Sequence, residues 1–359
     1  MDNSFITMAR LANQRITRNR FESATQLVSW MGAMQAQDPY FIKWAVGSRL
    51  SGATEQDITK ALDEGSILRT HALRPTWHLV APEDIYWMLE LTAQNIKVAA
   101  KSRQKELGLT PQILSKSNRL IEQKLEVGQH MTRQDLLAGF EEEGISLKEN
   151  RSSHLLMWAE LEQVICSGVS QRGKHTYALL DQRVPKKVLL SKEESLARLA
   201  LTYFKSHGPA TEADFCWWSG LRAGEARRAL EMVRHQLGSE KFDEQVYWFD
   251  SDTVEAVEKT KSVFLLPSYD EYYISYKDRT AALPSVHNSK AISNNGIFSP
   301  VIAVSGQVKG TWKRAIKKET VFIETKLFEA VSKSTLKLIE VAAQRYAKFL
   351  NKKMVISHL

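Results

Sequence analysis

The chain has 359 residues, of which 43% are hydrophobic and 25% are charged, as in globular proteins with a substantial core. This length indicates two or three domains, and no apolar run reaches the roughly 20 residues of a membrane-spanning helix. Two cysteines and nine scattered histidines exclude a disulfide framework and show no zinc-ligand spacing, so we expect no metal or other cofactor. Because no hydrophobic signal region stands near the N-terminus, we expect a cytoplasmic protein.

The positive charge is concentrated at the C-terminal end. Residues 301–359 contain twelve Lys and Arg against four Glu, an excess equal to the net charge of the whole chain, +8. Such an uneven distribution suits a polyanionic partner, with DNA, RNA and an anionic membrane surface as candidates. The alternative is a solvated basic surface that only maintains solubility.

One short pattern recurs in the first two thirds of the chain. Thr54, Thr132 and Thr211 each precede an Asp by three residues, and the separations between them are nearly constant. Each Thr can cap a helix, and an Asp in the first turn suits the positive end of the helix dipole. The near-constant spacing therefore predicts repeated units.

Each predicted unit has helices followed by a β-hairpin. In the first unit (residues 1–100), we predict helices over 22–34, 41–50 and 55–63 and a hairpin over 67–80. The second unit (residues 101–185) has a helix starting at Thr132, another over 152–162, and strands at 164–166 and 177–179. The third unit (residues 186–260) has three amphipathic helices, with Gly220 ending the second, and a hairpin over 241–249. This order predicts a winged helix, in which the last helix enters the major groove.

The pattern changes to strands in residues 261–359. Short apolar runs at 263–266, 301–304 and 321–323, with a turn at 305–307, predict a sheet, and periodic apolar residues over 338–349 predict a closing helix. Residues 284–296 are predicted to be a mobile loop. The expected fold is therefore α+β: three tandem winged-helix repeats, a β-rich, barrel-like segment and a closing helix.

Two glutamines near the end of the first predicted long helix are candidates for chemistry. Pro39 disfavours helix at Asp38, so the helix is expected to end near Gln37. Residues two apart in extended backbone point the same way, and Gln35 and Gln37 can therefore present two amides side by side. The alternative is that these amides only cap the helix end.

An ordered set of short motifs runs along nearly the whole chain. They are Gln35-Ala36-Gln37, Arg69-Thr70-His71-Ala72-Leu73-Arg74, Thr76-Trp77-His78-Leu79-Val80, Leu265-Leu266-Pro267, Asp270-Glu271-Tyr272, Lys277-Asp278-Arg279 and Gly310-Thr311-Trp312-Lys313-Arg314. Together they resemble the AlkZ/YcaQ-like DNA glycosylases, which contain winged-helix repeats. The resemblance implies that Gln35 and Gln37 are catalytic and that the substrate is duplex DNA carrying N7-alkylated purines, including crosslinked ones. Pro75 stands where many relatives have glycine, so the substrate range could differ.

Amide side chains fit this reaction because the substrate is already activated. A neutral amide cannot serve as a general base, but an N7-alkylated guanine carries a positive charge and leaves without protonation. Two amides can orient water through a carbonyl acceptor and an N–H donor. Asp38, Asp270 and Glu271 are reserve carboxylates for activating water; the alternative for the last two is a salt-bridged strand end facing Arg279.

Basic residues at predicted hairpin tips and on one helix are candidates for DNA contact. They are His71, Arg74, Arg172, Lys174, Arg227, Arg228, Lys313 and Arg314. Strict alternation would place His71 and Arg74 on opposite faces, so a turn must separate them if both reach DNA. His78 is predicted to be a core histidine, and Trp312 suits either the core or DNA contact.

These expectations describe a monomeric DNA glycosylase associated with the nucleoid and not with a membrane. A non-enzymatic DNA-binding protein is the first rival, although a regulator usually dimerises and the sequence offers no dedicated dimerisation segment. An RNA-binding or partner-docking array of winged helices is the second rival.

Overall fold

The computed structural model describes residues 2–17, 21–126, 128–251 and 261–359. These residues form an α+β protein with two compact units, which are not the predicted repeat units. The first compact unit consists of residues 1–59 and 197–359, and the second compact unit consists of residues 60–196. Within the described ranges, each helix is either too short or too polar to cross a bilayer. The predicted third repeat, residues 186–260, ends in residues 252–260, which lie outside the described part of the chain.

The N-terminal part of the first unit is mostly helical. Its elements are α1 (Asn3–Asn13), α2 (Ala24–Met31), the short strand β1 (Met34–Gln35), α3 (Ile42–Gly47) and the start of α4 (Glu55–Glu64). Asp2 and Ser23 cap α1 and α2 with their side chains, and Thr54 accepts the Asp57 N–H at 3.2 Å. α1, α2 and α4 therefore each begin directly after a capping side chain, and α1 was not predicted from the sequence.

The second unit alternates hairpins and helices. Its elements are β2 (Leu68–His71), β3 (Trp77–Val80), α5 (Ile85–Glu106), α6 (Pro111–Leu125), β4 (Met131–Thr132), α7 (Arg133–Leu137), α8 (Arg151–Leu161), β5 (Ile165–Ser167), β6 (Thr176–Leu179) and α9 (Leu180–Arg183). β2 pairs antiparallel with β3, and β6 lies between β4 and β5. Phe140, Leu155 and Ile121 are completely buried in its core. Both predicted hairpins of this unit are confirmed.

The first unit resumes with three helices and a hairpin: α10 (Lys192–His207), α11 (Glu212–Ser219), α12 (Ala223–Val233), a 3-10 turn (Arg234–Gln236), β7 (Gly238–Phe242) and β8 (Gln245–Phe249). Thr211 and Asp214 form a reciprocal capping box at the start of α11. Gly220 ends that helix, as predicted, and adopts the left-handed conformation. Tyr203, Phe215 and Trp218 pack together in the interior.

The C-terminal segment contains one five-stranded sheet: β9 (Val263–Leu266), β10 (Val301–Val304), β11 (Gln307–Lys317), β12 (Thr320–Leu327) and β13 (Lys353–His358), in the order β13-β12-β11-β10-β9. Neighbours are antiparallel except β12 and β13, which are parallel. The helix over Lys333–Phe349 makes the crossover that a parallel pair requires. β13 and β9 end the sheet, so the expected barrel-like closure was wrong for the described residues.

Short and long helices complete this segment: α13 (Glu271–Ile274), a 3-10 turn (Ser285–His287), α14 (Asn288–Ala291) and α15 (Lys333–Phe349). Residues 284–296 were predicted to be a loop, but residues 285–291 form the 3-10 turn and α14. His287 and Ala291 are buried. Tyr346 of α15 packs edge to face against Trp44 of α3 and Trp312 of β11. This aromatic cluster packs α3, α15 and β11 together.

Candidate active site

The Gln35-Ala36-Gln37 segment follows a sharp exit from α2. This helix ends at Met31, and Gly32 follows with a φ of 73° that favours glycine. A Cβ at this position would lie only 2.9 Å from the Thr202 side chain, so space also requires glycine. The prediction that the helix extends to Gln37 was therefore wrong. Gly32 is the C-cap residue of α2, and its N–H donates to the Ser29 main-chain oxygen at 3.1 Å.

The two glutamines differ in exposure. Gln35 lies in β1, which confirms extended backbone there, and it is only 6% exposed. Ala36 is buried, whereas Gln37 is half-buried. The segment therefore runs from the protein interior towards solvent, and Gln37 is the more accessible of the two amides.

A buried carboxylate, Glu271, holds the main chain of Gln35. One of its oxygens accepts the Gln35 N–H. The other accepts hydrogen bonds from the Ser275 hydroxyl and from Trp218 Nε1, the latter at 3.2 Å. His207 Nε2 lies 3.4 Å from that second oxygen. Glu271 itself is 2% exposed, so the position of Gln35 is fixed from inside the core.

These contacts keep Glu271 ionised. Burial alone raises the pKa of Glu271, but His207 and the hydrogen bonds from Ser275 and Gln35 outweigh it and lower the pKa to about 2. Burial lowers the pKa of His207, although Glu271 opposes that shift. Glu271 therefore acts as a charged acceptor that organises its surroundings, and it is not poised to exchange a proton near neutral pH.

Asp270 also has a structural role in the core. Its two oxygens receive hydrogen bonds from Arg49 at 2.7 and 2.9 Å, and both side chains are completely buried. One of these oxygens also caps α13 by accepting the Tyr272 N–H at 2.9 Å. The alternative of an ion pair with Arg279 was wrong about the partner, because buried Asp270 pairs with Arg49. Arg279 instead donates to the main-chain oxygen of Tyr273 at 2.9 Å.

Asp38 is the accessible member of the three carboxylates. It is half-buried, whereas Asp270 and Glu271 are fully buried. Its Oδ2 accepts the Ser268 hydroxyl at 2.5 Å, and its Oδ1 accepts the Tyr40 N–H at 2.8 Å. It follows Gln37 directly in the chain. Among the reserve carboxylates, Asp38 is therefore the one that solvent can reach beside the glutamine pair.

The predicted DNA-contacting cations of the first unit lie on its surface to different degrees. Lys313 is exposed, as are Arg227 and Arg228 on α12. Arg314 is half-buried and donates to the main-chain oxygen of Tyr40 at 3.0 Å. Trp312 is only 1% exposed, which confirms the core alternative for that residue.

The corresponding residues of the second unit also differ. Arg172 and Lys174 are exposed at the tip of a tight hairpin, where Arg172 and the adjacent Gly173 both have positive φ. His71 is buried, and its ring and main-chain N–H both contact Glu160. Arg74 is half-buried and lies after the end of β2.

A turn over residues 72–76 follows His71 and contains Arg74. The same hairpin contains His78, which is completely buried, as predicted for a core histidine. Its Nδ1 lies 2.9 Å from the Thr76 main-chain oxygen.

The roles of Glu271, His207 and Ser275 around Gln35 were missed from the sequence. The sequence indicated only that Asp270 and Glu271 are candidate carboxylates for activating water. No short motif links Glu271 to Gln35, because the two residues are 236 positions apart in the chain. In the described residues, no group of three or more His, Cys, Asp or Glu side chains is placed to hold a metal ion.

The fold that carries these residues is that of a solved DNA glycosylase. Streptomyces sahachiroi DNA glycosylase AlkZ matches with a TM-score of 0.83 over 100% of both chains, at 20% identity. The Interstrand DNA cross-link repair glycosylase of Streptomyces sahachiroi is 22% identical over 320 residues, covering 85% of each chain. A family profile described as DNA glycosylase AlkZ-like matches residues 28–349. The chain therefore belongs to the AlkZ-like DNA glycosylase family, which confirms the resemblance and the enzyme class predicted from the motifs.

Proposed function

We propose that this glycosylase hydrolyses the N-glycosidic bond of N7-alkylated purines in duplex DNA, including purines in interstrand crosslinks. Family membership and the name of the Streptomyces sahachiroi relative support DNA repair of this kind. The observation that carries the proposal is the Gln35-Gln37 pair, whose first member is fixed by buried Glu271 while the second is partly open to solvent.

The proposed chemistry requires orientation of water more than proton transfer. Water attacks C1′ of the deoxyribose, the C1′–N9 bond breaks, and its electron pair neutralises the positive charge of the alkylated base. The base thus leaves as a stable neutral molecule, and the incoming water releases a proton. Gln37 orients the water with its carbonyl acceptor and N–H donor, and Gln35 completes the amide pair.

Asp38 has a supporting role in this proposal. Its carboxylate is near Gln37 in the chain and is half-buried, so it can receive the proton of the attacking water. It can also stabilise positive charge that develops on the sugar. Asp270 and Glu271 act indirectly. Their buried contacts hold Arg49, α13 and the Gln35 main chain in place.

DNA binding in this proposal rests on three winged-helix repeats in a monomeric, nucleoid-associated protein. The exposed cations Arg172, Lys174, Arg227, Arg228 and Lys313 contact phosphates. Arg74 approaches the duplex from the first hairpin, and His71 shapes that hairpin through its buried contact with Glu160. A crosslinked base cannot swing freely out of the duplex, so such lesions are cleaved without full extrusion.

The proposal is tested by measuring release of 7-methylguanine from duplex DNA under single-turnover conditions. We expect Gln37→Ala to slow release by roughly 100-fold or more while the dissociation constant for DNA changes less than about twofold. Gln112→Ala, which removes an exposed glutamine on α6, is the matched control and should retain wild-type rates. A Gln37→Ala variant that releases the base at the wild-type rate would contradict the catalytic assignment.

A further inference from the structure

An exposed tyrosine stands three residues after Gln37. Tyr40 is 75% exposed, whereas the next most exposed aromatic residues in the described ranges, Trp217 and Phe322, are 42% and 38% exposed. The other nine tyrosines are buried or half-buried in the structure. Because tyrosine combines an apolar ring with a polar hydroxyl and is enriched at interfaces, Tyr40 is available for a contact with a substrate bound beside Gln37.

The main chain around this tyrosine is fixed on both sides. Its N–H donates to Asp38 Oδ1 at 2.8 Å, and its carbonyl oxygen accepts from Arg314 Nη2 at 3.0 Å. Asp38 is in turn held by the Ser268 hydroxyl at 2.5 Å. Pro39 restricts the backbone between them. The exposed ring is therefore mounted on a rigid loop, which reduces the entropy lost when it binds a partner.

The neighbouring residue anchors this loop in the core. Phe41 is 7% exposed, and its ring lies 5.2 Å from that of Trp312 in an edge-to-face arrangement. The Arg314 guanidinium lies 5.2 Å from the Phe41 ring and 5.9 Å from the Tyr40 ring. Consecutive aromatic residues thus divide their roles: Phe41 holds the loop in place and Tyr40 faces solvent beside a positive charge.

We propose that Tyr40 stacks on the base next to the lesion, on the face that opens when the damaged nucleotide moves out of the base stack, and so positions that nucleotide against Gln37. This inference rests on the proposed function. Aromatic rings stack on bases of any sequence because every base has a π-face, and a cation beside the ring suits the phosphate backbone. A rigid ring at the end of the Gln35-Gln37 segment therefore fixes the register of the DNA at the site.

The test compares Tyr40→Ala, Tyr40→Phe and wild type on a duplex containing a single 7-methylguanine. Stacking predicts that Tyr40→Ala binds roughly 5- to 150-fold more weakly, as for loss of one base–aromatic stack, whereas Tyr40→Phe stays within about twofold of wild type. Thermal stability should be unchanged because the side chain is exposed. Equal affinities for Tyr40→Ala and wild type, or equal losses for both variants, would overturn the proposal.

A second arm identifies the contacted base. Tetrahydrofuran abasic residues replace the bases flanking the lesion, one position at a time, and the ratio of the dissociation constants of Tyr40→Ala and wild type is measured at each. The ratio should approach one when the stacked base is absent. A ratio that stays the same at every position contradicts base stacking.

Two controls separate this inference from the proposed function. Val286→Ala removes an apolar side chain that is 74% exposed on a different segment, and it should bind DNA as wild type does. If wild type fails to release 7-methylguanine, the proposed function fails, yet the affinity ratios still report on stacking. If wild type is active and the ratios equal one, only the Tyr40 inference fails.

Discussion

Two buried carboxylates, one in each unit, hold the main chain of a residue that the sequence marked as functional. In the first unit, Glu271 accepts the Gln35 N–H. In the second, Glu160 accepts the His71 N–H at 3.1 Å. Glu271 and Glu160 are only 2% and 1% exposed. Because a buried N–H without an acceptor is costly, each carboxylate strongly specifies the local backbone.

These two carboxylates, which anchor the backbone at Gln35 and at His71, differ in their contacts with side chains. Glu271 accepts a hydrogen bond from the main chain of Gln35, and it accepts its other hydrogen bonds from the Ser275 hydroxyl and the Trp218 indole. Glu160 contacts both the main chain and the ring of His71. The first anchor positions a residue without engaging its amide group, whereas the second also holds the ring. Glu271 therefore fixes the backbone at Gln35, whereas Glu160 fixes both the backbone and the ring of His71.

The largest expected effect comes from removing the first anchor. Glu271→Ala leaves the Gln35 N–H, the Ser275 hydroxyl and the Trp218 indole without their acceptor, so we expect a loss of about 3–5 kcal/mol in the free energy of unfolding. Urea denaturation measures it. Glu329→Ala, whose side chain is 60% exposed, serves as the control and should stay within about 0.5 kcal/mol. Equal effects of the two changes would show that Glu271 is not an anchor.

A smaller loss is expected in the second unit. His71→Ala removes the ring from buried Glu160 but keeps the main-chain hydrogen bond, so we expect a loss of about 2–3 kcal/mol. DNA affinity of the folded fraction should change less than about threefold, because the ring is held internally. A large loss of affinity with unchanged stability would instead make His71 a direct DNA contact and remove the contrast between the anchors.

Acid should weaken the Glu271 anchor in a defined pH window. The pKa of Glu271 is lowered to about 2, below the value of about 4.3 for an unfolded glutamate. Its stabilisation is therefore fully present above the unfolded pKa and is lost as pH falls towards the folded one. We expect the stability difference between wild type and Glu271→Gln to be constant above about pH 5 and to shrink below about pH 4. A difference that grows in acid would reverse the assignment.

The smallest effects concern the exposed cations of the two units. Lys313→Ala and Lys174→Ala should each weaken binding to undamaged duplex a few-fold and reduce the slope of log affinity against log salt by about 0.9. Lys105→Ala, at an exposed position of α5, is the control. Equal slopes for all three variants and wild type would place Lys313 and Lys174 outside the DNA interface.

Local signals in the sequence predicted elements well where capping and periodicity coincide. The capping box at Thr211, the left-handed Gly220 and the hairpin β7–β8 all lie where the pattern places them. The errors arose where a local signal competed with packing. α2 ends early at Gly32, which has a positive φ and no space for a side chain beside Thr202. Residues 285–291 form helical turns in which His287 and Ala291 are buried.

The candidate site could be predicted only in part. Gln35 and Gln37 were found because motif spacing and the family resemblance are properties of the linear chain. The partners of Asp270 and Glu271 were not, because Arg49 and Gln35 lie 221 and 236 residues away and nothing in a short window encodes such contacts.

The sequence by itself determined several capped helices, the hairpins, the excess of positive charge and the membership of the family, since capping, periodicity and motifs act over a few residues, whereas α1, α5 and α6 were not predicted. Only the tertiary structure decided which carboxylates are buried as anchors and which one solvent reaches, and that Tyr40 stays exposed while Phe41 is buried. Burial depends on elements that meet from distant parts of the chain, and burial determines whether a carboxylate holds the backbone or remains accessible to substrate.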